Sequence, residues 1–253
     1  MGIDRTAAKG FSAGADAYQR ARPAYAADAV ARLAERLRIG ASSRVVDLGA
    51  GTGKLTAQLV PTGAELIAIE PVAEMRAHLH PALPAVRVVA GAAEAIPLAD
   101  ASVDAVVVAQ AFHWFDGPAA LRETHRVLRP GGGLGLVWNA RDRSGWAGEL
   151  ARMVDAYGDA IRRHETEQWL GAFTPESGFT PLEREEFDNT QEVDEQQTLD
   201  RVASTSFIAT LPEAECAALL ERVRTLVRTH PETKGRERFA LRHRTRIYCS
   251  DRV

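Results

Sequence analysis

The chain has 253 residues, 45% hydrophobic and 26% charged, with a formal net charge of −3, which gives room for one large α/β domain and no global pull towards nucleic acid or an anionic membrane. Its two cysteines, Cys216 and Cys249, sit in no Cys-x-x-Cys or His–Cys cluster, which excludes a disulfide framework and a zinc signature. No run of about 18 apolar residues suits a membrane span, and no apolar stretch follows a basic start in "MGIDRTAAKGFSAGADAY", so a cytoplasmic protein with neither membrane nor nucleic-acid partner is expected.

In chain order, residues 28–39, "DAVARLAERLRI", set Val30, Leu33, Ala34 and Leu37 on one helical face, and Gly40 stops the helix. "SRVVDLG" predicts a buried strand and "KLTAQLV" a helix halted at Pro61. "AELIAIE" is a second strand, "VAEMRAHL" a helix with Met75 and Leu79 on one side, and "AVRVVAG" a third strand. "SVDAVVVAQ" is a fourth, whose almost unbroken apolar run suits a strand covered on both faces. "AALRETHRVLRPGG" predicts a helix ended by a Pro-Gly turn, and "GLGLVWNA" a fifth strand. This alternation from about residue 43 to 140 argues a parallel, doubly wound sheet.

After Arg141 the rhythm changes. A helical stretch over about 145–169 precedes the strand "FTPLEREEFDNTQEV", a helical pair around 197–230, and a closing strand, "RFALRHRTRIYCS". In the second helix of the pair, Leu219, Val223, Leu226 and Val227 form one stripe. The arginines of the last strand alternate with apolar residues, as on the wet face of a sheet. No repeat, low-complexity segment or linker divides the chain, so one domain over 1–253 is expected: an arm over 1–27, a core over 28–140 and a cap with the last strands over 141–253.

Chemistry concentrates in "VVDLGAGTGKLT", Val45 to Thr56, where Gly49, Gly51 and Gly53 follow a β-branched run. A phosphate-gripping P-loop needs a glycine where Leu48 stands and a Ser or Thr where Leu55 follows Lys54. A dinucleotide fingerprint needs GxGxxG, and its third glycine falls one residue early here, at Gly53. What remains is an acid, Asp47, at the end of the first strand, then GxGxG and a helix, with Glu70 ending the second strand about twenty residues on. A carboxylate at Glu70 can accept both hydroxyls of an adenosine ribose, and it would repel a 2′-phosphate there.

With "AIEPVAEM", "GAAEAIPLADASVDAVVVAQAFHWFD" and "RVLRPGGGLGLVWN" added to that loop, the sequence resembles the class I S-adenosylmethionine-dependent methyltransferases of the "type 11" domain group. "ADAYQRARPAY" is similar to a subgroup that includes trans-aconitate methyltransferase-like enzymes. The resemblance implies a Rossmann-like α/β fold with a mostly parallel seven-stranded sheet, and a C-terminal helical elaboration capping the acceptor site. It implies S-adenosyl-L-methionine as cofactor, held by Asp47, Gly49, Ala50, Gly51, Gly53, Glu70, Pro71 and Met75. Ala92, Ala93 and Glu94 would flank the adenine and Gln110 the methionine. Many relatives carry an Asp at the position of Ala92, so backbone groups or Glu94 would take over the adenine amine. The implied partner is a small-molecule acceptor, and the assembly a monomer or homodimer.

Methyl transfer from a sulfonium is an in-line displacement that chiefly needs alignment and exclusion of water. His113, in "AQAFHWFD", is the candidate general base. Tyr25, Trp114, Phe115 and Trp138 are candidate walls of the acceptor pocket. Tyr18 and Arg22 suit a lid closing over the cofactor carboxylate or an acidic substrate. Two rival readings stand beside this one. One is a non-catalytic cofactor-binding or regulatory protein of the same fold. The other is an NAD-dependent oxidoreductase, which would need GxGxxG and a catalytic Tyr–Lys pair.

Overall fold

A computed structural model describes residues 23–157, 167–205 and 207–253. Among the described residues, fourteen α-helices and β-strands follow one another: α1 (Ala27–Arg36), β1 (Arg44–Leu48), α2 (Lys54–Leu59), β2 (Glu65–Ile69), α3 (Ala73–Ala82), β3 (Arg87–Val89), β4 (Val103–Ala109), α4 (Gly117–Val127), β5 (Leu128–Arg141), α5 (Gly145–Asp155), β6 (Glu183–Val193), α6 (Glu195–Ala203), α7 (Glu213–Thr229) and β7 (Phe239–Asp251). The seven strands form one sheet in the order β3-β2-β1-β4-β5-β7-β6. β1–β2, β1–β4, β2–β3 and β4–β5 pair in parallel. β7 runs the other way: Arg252 donates to Gly132 near the start of β5, whereas Asp142, just past its end, donates to Arg242. The expected doubly wound, mostly parallel sheet is therefore present, and strand order reverses between β1 and β4.

The chain divides into two compact units, and β5, β6 and β7 contribute residues to both. The first comprises, among the described residues, Ala24–Trp138, 167–187 and Thr245–Val253. Its strands send alternate side chains to two clusters. Val46, Leu48, Ile67 and Ile69 go to one, and Val45, Leu66, Ala68 and Val107 to the other. That is why the strand sequences read as nearly continuous apolar runs. α1 closes the second cluster with Val30, Leu33 and Leu37, and places Asp28 in its first turn and Arg36 in its last, both favourable to the helix dipole.

The second unit comprises the described residues of 139–165 and 188–244, with Pro23. Trp146, Leu150 and Val154 of α5 pack there with Leu199 and Val202 of α6 and with the stripe of α7. That stripe is Leu219, Val223, Leu226 and Val227, as the spacing predicts. α6 starts with a capping box, in which Asp194 accepts from the Gln197 N–H and Gln197 Oε1 accepts from the Asp194 N–H. The alternation in the last strand also holds: Leu241, His243, Thr245 and Ile247 are buried between arginines. Arg244 pairs with Asp188 and Arg246 with Glu186 across to β6.

Two boundaries differ from the sequence reading. α4 ends at Val127 and not at the Pro-Gly pair, because Leu128 is already extended (φ −66°, ψ 142°). Pro130 disfavours helix in the residue before it, so its influence reaches back into the chain. "RPGG" instead forms an irregularity inside β5, between the pairs Val103–Leu128 and Ala105–Gly133. The long helix expected over 145–169 appears as α5 and a 3-10 turn over Gln168–Ala172, with 158–166 outside the described residues.

Candidate cofactor site

The carboxyl ends of β1 and β2 carry the two acids read from the sequence. Asp47 is 1% exposed; its Oδ2 accepts from Thr56 Oγ1 at 2.5 Å, and its Oδ1 has no hydrogen-bond partner among the described residues. Burial pushes its pKa up to about 6, with the Glu70 charge adding to the rise and the hydrogen bonds of Thr56 opposing it. Glu70, 6% exposed, accepts from the Gly51 N–H through Oε2 and the Val72 N–H through Oε1, both at 2.9 Å. Burial raises its pKa too, against those two N–H groups and the nearby Arg76 charge. Arg76 Nη1 also donates to the Glu70 carbonyl at 2.7 Å.

Between these acids runs the glycine loop, with φ of +71° at Gly49, +57° at Gly51 and +82° at Gly53. Each angle lies in the left-handed region where side chains are penalised. The loop is therefore a hydrogen-bonded strap, tied to β2 by Glu70 and by the Gly49 and Ala50 N–H groups, both of which donate to the Ile69 carbonyl. A Cβ at Gly51 would meet nothing within 4 Å, so the backbone there faces open space. At Gly53 the opposite holds: a Cβ would lie 2.9 Å from Leu79 Cγ, a fully buried residue of α3. Gly53→Ala is therefore expected to lose about 2 kcal/mol of stability from backbone strain and overpacking. Urea denaturation checks this, and an unchanged midpoint would contradict the packing.

Asp47 gives a sign that can be tested. Its folded pKa lies above 3.8, so the native state holds a proton that the unfolded chain has lost, and stability falls as pH rises through about 4 to 6. A shift from 3.8 to about 6 corresponds to about 3 kcal/mol of cost at neutral pH. Asp47→Asn keeps an acceptor for Thr56 and removes that cost. The ligand-free variant is expected to exceed the parent by up to about 3 kcal/mol at pH 7.5, with the gain shrinking towards pH 4. A pH-independent difference in denaturant titrations would contradict the buried carboxylate with its raised pKa.

The remaining expected positions that lie among the described residues fall in the same unit. Pro71 is half-buried beside Glu70, and Met75 is buried in α3. After β3, Ala92 bridges Ala95, and Ala93 is buried in the core. Glu94 Oε1 accepts from the Asp116 N–H at 2.9 Å, which ties this loop to the start of α4. Gln110 follows β4 with φ +56°, uncommon for a residue with a side chain, while its N–H donates to the Val137 carbonyl. Phe112–Trp114 is a 3-10 turn in which Phe112 is buried, and the half-buried His113 ring lies 4.7 Å from the Trp114 ring. Phe115 Cζ sits 3.2 Å from where a Gly49 Cβ would stand, so it packs against the glycine loop. Tyr25 lies in the core cluster of α1, its backbone N–H and carbonyl both bonded by the Gln58 side chain. Tyr18 and Arg22 lie outside the described residues.

Trp138, expected as a pocket wall, sits instead in a buried cluster of aromatic rings. Trp138, 3% exposed, stacks on Trp169 with ring centroids 4.4 Å apart. Trp169 in turn meets Tyr248 edge-on at 5.1 Å and Phe112 at 6.0 Å. Tyr248 donates to Glu167 Oε1 at 2.8 Å, and its pKa is pushed up to about 12, by burial first and then by that carboxylate. The apolar run "WLGAF", with Trp169, Leu170 and Phe173, was the available signal for these neighbours. Among the described residues no group of three His, Cys, Asp or Glu is placed to hold a metal, and no helix is long and apolar enough to cross a membrane.

Residues 46–136, which span this loop and both acids, match the model of a methyltransferase domain family. An uncharacterized methyltransferase of Mycobacterium tuberculosis is 44% identical over 232 residues, covering 91% of this chain and 90% of that one. A methyltransferase-like protein of Schizosaccharomyces pombe is 34% identical over 239 residues, covering 93% and 92% respectively. A solved structure from Anaeromyxobacter dehalogenans, provisionally named a type II methyltransferase, superposes with a TM-score of 0.71 at 22% identity, over 91% of this chain and 97% of that one. The chain belongs to the class I S-adenosylmethionine-dependent methyltransferases.

Proposed function

We propose that this methyltransferase moves a methyl group from S-adenosyl-L-methionine to a small-molecule acceptor by in-line displacement, using the loop between Asp47 and Glu70 as the cofactor cradle. The observation that carries this reading is the pairing of open space over Gly51 with two buried carboxyls at adjacent strand ends. The residues present fit the group. Glu70 has lone pairs left for two ribose hydroxyls after accepting from Gly51 and Val72. Asp47 Oδ1 is a buried acceptor in need of a donor. When bound, the cofactor supplies a methyl already activated on sulfur, so the protein's part is alignment and exclusion of water.

Phe115, packed against the glycine loop, and Trp114 in the preceding turn supply apolar walls. Trp138 lies in the same aromatic cluster, deeper and covered by Trp169. His113 is the group in this turn that can take a proton from the acceptor, at a ring nitrogen. His113→Ala is expected to lower kcat about a hundredfold for a hydroxyl acceptor, with little change in cofactor affinity. Undiminished kcat would remove the base. The reading as an active transferase is tested by incubation with S-adenosylmethionine and panels of carboxylates, phenols and amines, following S-adenosylhomocysteine release. Release with one class supports it, and silence across the panel favours the non-catalytic alternative.

A further inference from the structure

Glu70 is bonded at its N–H, at its carbonyl and at both carboxyl oxygens. Its N–H donates to the Val89 carbonyl of β3 at 3.1 Å, and its carboxyl oxygens take the N–H groups of Gly51 and Val72. The contact to its carbonyl comes from α3: Arg76 Nη1 donates there at 2.7 Å. The backbone N–H of the same arginine donates to the Val72 carbonyl at 3.2 Å. One residue therefore holds both ends of the link Glu70-Pro71-Val72 that joins β2 to α3.

That link anchors the carboxylate. Val72 is the extended residue just before α3 (φ −83°, ψ 120°), and its N–H fixes Glu70 Oε1. Pro71 has no N–H with which to hold the bend itself. A looser link would move the Val72 N–H and release one of the two oxygens. Arg76 is half-buried, and among the described residues the Glu70 carbonyl is the only hydrogen-bond partner of its guanidinium. The side chain thus serves this link and not a surface ion pair. Its charge also favours the ionised form of Glu70 against the burial that disfavours it, and an ionised carboxylate accepts at both oxygens.

We propose that Arg76 is a positioning residue: it closes the β2–α3 link so that the Glu70 carboxylate faces the ribose hydroxyls of the cofactor. This role rests on the cradle proposed above, with Glu70 as the ribose acceptor.

Calorimetric titration of the full chain with S-adenosylhomocysteine and with its 2′-deoxyribose analogue separates positioning from a general loss of structure. The parent is expected to prefer the ribose form at least about tenfold, the worth of one hydrogen bond to an ionised acceptor. Arg76→Met keeps the aliphatic stem and removes the donors and the charge. It should weaken S-adenosylhomocysteine by about tenfold and shrink the preference to about threefold or less, because the deoxy form has less to lose when Glu70 is misaimed. Arg76→Lys restores a donor and a charge, and a single bond to a carbonyl does not need the planar fork of arginine. It should return affinity and preference to within about threefold of the parent. Should Arg76→Met fail to fold, the shorter, uncharged Arg76→Gln takes its place with the same expectation. An undiminished preference in the folded uncharged variant would overturn the positioning role, and so would a lysine variant as weak as the methionine one. A parent that binds both forms equally would overturn the cradle reading itself, and this role with it.

Discussion

Glu70→Ala is expected to weaken S-adenosylhomocysteine binding by about a hundredfold to a thousandfold. The side chain is aimed by its own backbone contacts, with one oxygen on the Gly51 N–H and the other on the Val72 N–H. It therefore presents its remaining lone pairs in a fixed direction beside the open backbone of Gly51. Two hydroxyl hydrogen bonds to an ionised acceptor at about 1.5–2 kcal/mol each account for the loss. Burial raises the Glu70 pKa, so binding should also weaken as pH falls and the carboxylate takes up a proton. Isothermal titration of the variant decides the matter. Glu70→Gln separates charge from shape, since it keeps an acceptor and loses the charge assistance, and its affinity should fall between the parent and the alanine variant. An alanine variant that binds within about twofold of the parent would remove Glu70 from the site.

Trp169→Ala is expected to be the most destabilising single change, at about 3–5 kcal/mol, the range for deleting a large buried aromatic. The residue is 8% exposed and touches Trp138, Tyr248, Phe112 and Phe173 through ring contacts between 4.4 and 6.3 Å. Its removal leaves a cavity bounded by four rings, and it uncovers Trp138 at the end of the β5 core. Chemical denaturation should show the loss as a lowered midpoint. Trp169→Phe, which keeps part of the ring contact, should recover more than half of the loss. A variant as stable as the parent would mean that the aromatic cluster contributes little to holding β5 and β7 together.

The strand–helix alternation is legible in the sequence because it has a simple physical origin. β1, β2 and β4 are covered on both faces, so Val45, Val46 and Leu48, then Leu66–Ile69, then Ala105–Val108 each read as an apolar block. Asp47 and Glu70 are legible for the complementary reason: an acid at the end of a buried strand is out of place unless it serves the loop beyond it. The end of α4 is not, because a proline reads as a local stop, whereas Pro130 acts on its predecessor and the helix has already ended at Val127. Trp169 escapes a sequence reading because it meets Trp138 from 31 positions away in sequence, and no local periodicity reports such a contact. The left-handed backbone of Gln110 is equally hidden, since nothing in "VAQAF" asks for a left-handed residue.

Titrating the parent protein with S-adenosylhomocysteine and NAD side by side tests the central claim most directly. The account predicts saturable binding of the sulfur nucleotide and none of the dinucleotide at the same concentrations. NAD binding without S-adenosylhomocysteine binding would contradict it.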